Sequence, residues 1–239
     1  MEVLVWNPED GVLLTGLLWT IIGFASYYFI SMLEGPALRL SQNFSSTPTQ
    51  TIQVILQRTF GLLFLGIIPA GIIVFGFNAT LSEFGLNFRF SEPPPLWSYG
   101  LLPLIVLMTY SVSSTPSNLE HYPQIRSGVW TSHLLWISGA SWVVFLIAYE
   151  FLFRGLLFFS SLSVLHPVPA IGLNVVLYAF AHFYKGPLEV IGAVPLGIIL
   201  CYLTLITGNI WSAVVIHSVM ALSHEWLSLR AHPHMKLTR

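Results

Sequence analysis

Seven long apolar runs, near residues 11–33, 55–79, 96–113, 133–162, 168–184, 187–207 and 209–228, leave this chain little choice of environment. Most approach the roughly 20 residues that an α-helix needs to cross a hydrocarbon core. Lipid offers no water to open backbone groups, so each run is expected to be helical, or re-entrant within protein. The breakers fall between the runs: Gly35-Pro36, Pro93-Pro94-Pro95, Pro116, His166-Pro167 and Gly186-Pro187. The expected fold class is all-α, a polytopic transmembrane helical bundle of about seven membrane helices, forming a single membrane domain over residues 1–239.

Charge supports this. Only 8% of residues are charged, against about 25% in an ordinary soluble domain, too few to cover a water-facing surface. A net charge of -1 and the lack of a basic stripe argue against a nucleic-acid partner. The single cysteine, Cys201, has no disulfide partner and reads as a small core hydrophobe. Glu2, Glu9 and Asp10 stand where a signal peptide would carry basic residues, so the first apolar run is expected to be a retained helix.

Basic residues accumulate on cytoplasmic loops. With a cytoplasmic C-terminus, Arg39, Arg58, Arg126, Lys185, Arg230, Lys236 and Arg239 share that side, and only Arg89 falls on the other. The triplets Asn43-Phe44-Ser45 and Asn78-Ala79-Thr80 match a glycosylation pattern too common to carry weight. The connection 114–132, rich in Ser and Pro, reads as a solvated loop, or else as a contact surface.

Two charges stand inside an apolar run: Glu150 and Arg154, in Ala148-Tyr149-Glu150-Phe151-Leu152-Phe153-Arg154-Gly155. Four residues apart, they share a helix face and can pair. A charge at mid-membrane costs about 2.5 to 3.5 kcal/mol on insertion scales, so both are expected to face the bundle interior or a wet cavity. They either neutralise each other structurally or mark a functional site. His182 and His217 also stand in apolar runs. Each alone is a hydrogen-bonding residue; with Glu150 they make a set that can activate water as a general base or hold a metal through neutral ring nitrogens. His121, His133 and His166 lie near loops, and His232 and His234 in a polar tail. His224 follows His217 by two turns on the same face and Glu225 points elsewhere; both read as structural or interfacial.

Taken in order, these segments resemble the CAAX-prenyl-protease and bacteriocin-immunity family of intramembrane endopeptidases, also called Abi or CPBP. Its motifs are Glu-Glu-x-x-x-Arg, often followed by Gly, then Phe-x-x-x-His, then His-x-x-x-Asn or Asp. Phe153-Arg154-Gly155 fits the end of the first, and Tyr178-x-x-x-His182 fits the second with a conservative tyrosine. Thr207-Gly208-Asn209 through His217 resembles the approach to the third. The resemblance covers residues 130–228, a family-like core, while the N-terminal third matches only as hydrophobic helices.

Two positions depart from the pattern. Tyr149 stands where the resemblance places the first glutamate, the group that polarises the attacking water, and Ala221 stands where an asparagine or aspartate would stabilise the oxyanion. Losing one oxyanion donor costs a factor of about 100 to 1,000 in rate. Adjacent helical residues point about 100° apart, so Glu150 does not aim where residue 149 aims without a rotation of the helix.

The resemblance implies two competing functions. One is a non-catalytic relative, an accessory or binding subunit for another membrane protein, a hydrophobic peptide or lipid, with Glu150, Arg154, His182 and His217 as a polar network. The other is an active endopeptidase cutting a prenylated or hydrophobic peptide. Glu150 would then be its base, and His182 and His217 would orient water or join Glu150 in holding a divalent metal such as zinc; Arg154, Tyr149 and Tyr178 would support them. No other cofactor is expected. A transporter is a weaker third reading, because no inverted repeat is present.

Overall fold

The computed structural model describes residues 7–42 and 48–238. Glu2, the triplet Asn43-Phe44-Ser45 and Arg239 lie outside the described residues. Among those described there are nine helices: α1 Pro8–Ser31, α2 Gly35–Ser41, α3 Thr49–Gly76, α4 Leu96–Val112, α5 Pro116–His121, α6 Ser132–Leu162, α7 Pro167–Phe180, α8 Pro187–Thr207 and α9 Trp211–Ala231; seven follow the apolar runs, and the short α2 and α5 lie in the connections between them. Two three-residue strands, β1 Val129–Thr131 and β2 Lys236–Thr238, pair in parallel, and the fold is otherwise all-α. Helices α1, α3, α6 and α8 are long and apolar enough to cross a membrane, and α4 and α7 are shorter apolar helices. The chain is a multi-pass integral membrane protein on that basis.

Local chemistry explains the helix ends. Helices α5, α7 and α8 each begin on a proline, whose fixed φ suits the first turn and whose missing N–H would have no partner there. Helix α8 stops at Gly208, which takes φ +67°. A side chain there would be strained, and a Cβ would come within 2.4 Å of Ser91 Oγ. Within α3, π-helical turns at Leu62–Ile67 and Ile72–Gly76 flank Pro69. The wider i→i+5 winding relieves the clash that a proline ring makes in a regular α-turn.

The chain divides into two compact units. The first comprises the described residues to Tyr27, Leu63–Pro94 and Ala148–Ala213. In it α8 packs along α7, with Phe158, Ala170 and Cys201 forming a buried cluster. Gly197 lets α8 approach the Tyr178 ring, since a Cβ there would stand 3.1 Å from it.

The second unit comprises Tyr28–Leu62, Pro95–Ile147 and Val214 onward. Its core joins Val54, Ile125, Trp130 and Leu229. The connection 114–132 is therefore not a simple solvated loop: it contains α5 and β1, and Ile125 and Trp130 are fully buried. Two apolar side chains, hidden in a Ser- and Pro-rich composition, are enough to fold it inward. The expectation of only two charges inside apolar helices is also corrected. Arg58 of α3 and Glu225 of α9 are buried and form a second ion pair, Nη2 to Oε1 at 3.7 Å. Charge counting placed Arg58 with a basic loop because it sits near the start of the apolar run 55–79, but α3 begins at Thr49 and carries it inside the helix, and its partner is set only by tertiary packing.

Candidate functional site in the first unit

Helix α6 is α-helical to Glu150 and π-helical over Phe151–Leu157. The change of winding falls directly after the carboxylate. Glu150 and Arg154 are fully buried, with Arg154 Nη1 at 3.2 Å from Glu150 Oε2. The Arg154 guanidinium also lies over the Tyr178 ring at 4.1 Å. Ion pairing and the aromatic face together offset part of the cost of holding a cation away from water.

Tyr149 points to a different neighbourhood. Its ring meets those of Phe24, Phe153 and Tyr178 edge-on or tilted, and that of His182 at 6.3 Å between centroids with planes 85° apart. The phenol thus occupies the side of α6 that faces the histidine, and Glu150 the side that meets Arg154.

His182 follows the last turn of α7 and begins the 3-10 turn Phe183–Lys185. Its ring is buried, against Tyr178 at 4.6 Å between centroids, and Nδ1 lies 2.8 Å from the Tyr178 carbonyl oxygen. A carbonyl only accepts, so Nδ1 carries a proton, and in the neutral ring Nε2 then holds the lone pair. This tautomer suits a general base or a metal ligand. Among the described residues, however, no group of three or more His, Cys, Asp or Glu side chains is placed to hold a metal ion.

Asn174, on α7, was missed by sequence reasoning. Fully buried, it donates from Nδ2 to the Phe153 carbonyl at 2.5 Å and accepts from Cys201 Sγ at 3.2 Å. It ties the π-helical segment of α6 to α7 and α8. A lone buried asparagine in an apolar run was the only signal for it in the sequence.

The structure brings Tyr149, Glu150, Arg154, Tyr178 and His182 together in the first unit. His217 belongs to the second, on α9, where it is buried, and Ala221 one turn later presents only a methyl group. The turn before α9 is held by its own side chain: Asn209 Oδ1 accepts from the Trp211 N–H at 3.1 Å, so the asparagine caps the entry to the helix. His224 is structural, stacked on Tyr122 with centroids 4.9 Å apart, its Nδ1 2.9 Å from Asn118 Oδ1.

No curated protein and no solved structure matches the chain. Residues 131–223, from the end of β1 to the middle of α9, match the profile of one family, described as Type II CAAX prenyl endopeptidase Rce1-like.

Proposed function

Taking residues 131–223 as an Rce1-like type II CAAX prenyl endopeptidase domain, we propose that this membrane protein is a non-catalytic relative. It keeps the family's bundle as a binding or accessory subunit for another membrane protein or a hydrophobic peptide. One observation carries the reading: the side of α6 that meets His182 bears the Tyr149 ring, while the carboxylate next to it is paired with Arg154. A neutral phenol is a poor base near neutral pH. Ala221 supports the same view, having no donor for an oxyanion. In this reading the chain crosses the membrane seven times with its C-terminus in the cytoplasm, and the polar cluster of α6 and α7 serves packing.

The test is a cleavage assay on the full chain in vesicles, with a prenylated CAAX peptide as probe. The wild type is expected to release no product. Hydrolysis by the wild type that disappears in His182→Ala would overturn the reading in favour of an active endopeptidase using Glu150, His182 and His217. Co-purification of a stoichiometric membrane protein from native membranes, together with an inactive wild type, would support it and identify the partner.

A further inference from the structure

The segment 77–94 joins α3 to the stretch before α4 and carries the only basic residue, Arg89, that the charge distribution sets apart from the others. It is tightly built. Ser91 N–H donates to the Thr207 carbonyl at 2.9 Å, and Ile210 N–H to that of Gly85 at 3.1 Å. Asn209 Nδ2 donates to the Arg89 carbonyl at 3.0 Å, and the Trp211 indole N–H to that of Asn87 at 2.7 Å. The Arg89 N–H is held by Asn87 Oδ1 at 2.9 Å, which pins the backbone of Arg89 on both sides. These bonds place the segment against the turn that ends α8, while its own start is the end of α3, so it lies at the ends of two membrane-crossing helices.

At Phe88–Phe90 this frame displays an apolar and cationic patch, with the exposed carboxylate of Glu92 three residues beyond Arg89. Phe88 is 80% exposed, yet one ring face stacks on Trp211, with centroids 4.7 Å apart and planes 7° apart. Phe90 is 48% exposed, and Arg89 between them is exposed and makes no ion pair among the described residues. The indole N–H of Trp211 is satisfied internally, so its ring can enter an apolar boundary without stranding a donor. Two phenylalanines around a guanidinium, at the ends of two spans, match the headgroup boundary of a bilayer, with aromatic rings at the acyl edge and the cation at the phosphate.

We propose that Phe88-Arg89-Phe90 is a phospholipid-headgroup site, selective for anionic lipid, on the rigid turn formed by residues 85–91 and 207–211.

The experiment uses the full chain reconstituted in vesicles, with an environment-sensitive fluorophore on Pro93→Cys, Cys201 being buried. Brominated phosphatidylcholine and brominated phosphatidylglycerol serve as quenchers. Both lipids are expected to quench, phosphatidylglycerol with an apparent preference of about fivefold, the scale of one basic side chain at an anionic surface. Arg89→Gln should abolish the preference while quenching persists, Arg89→Lys should keep it, and Phe88→Ser with Phe90→Ser should weaken quenching by both lipids. Equal unfolding temperatures would show that the variants fold. Absence of quenching in the wild type, equal quenching by the two lipids, or a preference that survives Arg89→Gln would each overturn the proposal.

Discussion

Among the described residues each of the two units buries an ion pair, and the two pairs are built on different plans. Glu150 and Arg154 are neighbours on one helix, so α6 itself fixes their geometry. Arg58 and Glu225 come from α3 and α9, and Glu225 is a hub: Ser138 Oγ donates to Oε1 at 3.0 Å and the Gln124 N–H to Oε2 at 3.0 Å. Arg58 in turn donates to the Ser138 carbonyl at 2.8 Å, Ser141 Oγ at 2.7 Å and Gln124 Oε1 at 3.2 Å, and lies over the Trp142 ring at 4.4 Å. Exchanging a pair set by one helix as a unit leaves that helix's register intact, although Arg154 also gives up its place over the Tyr178 ring. A pair that joins α3 and α9 to a loop and to α6 cannot be exchanged so simply, because its loss strands every group it satisfied.

The strongest attempt to break this contrast is Glu225→Ala. Removing one partner of a buried pair costs about 3 to 5 kcal/mol, and the loss should appear as a much lower unfolding temperature in detergent, with protease cleavage appearing in 114–132. Replacing both partners by methionine sharpens the comparison. Glu150→Met with Arg154→Met should cost about 1 kcal/mol or less, since apolar substitutes for a whole pair are often near neutral. Arg58→Met with Glu225→Met should still cost about 2 kcal/mol, because Ser138 and the Gln124 N–H lose their acceptor. Similar losses from the two double variants would refute the distinction.

A smaller effect is expected at Asn174. Asn174→Leu removes the donor to the Phe153 carbonyl and the acceptor for Cys201, at about 1 to 2 kcal/mol, and deuterium exchange should rise within 151–157 more than elsewhere on α6. The smallest effect concerns Glu83, outside the spans, whose carboxylate accepts from the Thr80 hydroxyl at 2.6 Å and the Thr80 N–H at 3.0 Å. These bonds hold its pKa below the usual carboxylate range. Its contribution is present above the unfolded-state value of about 4.3 and is lost as pH falls through the lower folded value. Exchange in 80–86 should accelerate over that acid range in the wild type and show no such step in Glu83→Gln.

Much of the scaffold was legible because a membrane helix declares itself by length and hydropathy alone. All seven apolar runs are helical in the structure, with ends displaced by a few residues. The Glu150–Arg154 pair was legible for a related reason: a spacing of four on a helix is a property of the sequence. Arg58 with Glu225 was not, since nothing local links α3 to α9, and each charge near the end of an apolar run resembles an interfacial one. Ile125 and Trp130 were hidden by the polar residues around them. The π-helical segment of α6 and the role of Asn174 were illegible as well, because they depend on which carbonyls α7 and α8 can reach.

That segment also gives α6 an unusual tolerance for changes in length. Winding of the i→i+5 kind holds one residue more in its turn than the α-helix around it needs. A single-codon deletion inside Phe151–Leu157 can be absorbed by reverting to ordinary winding, which leaves the faces of α6 on either side in phase. The same deletion anywhere in Ser132–Glu150 turns all that follows by about 100°. In a lineage of such chains, insertions and deletions should therefore collect immediately after the buried carboxylate and be purged immediately before it.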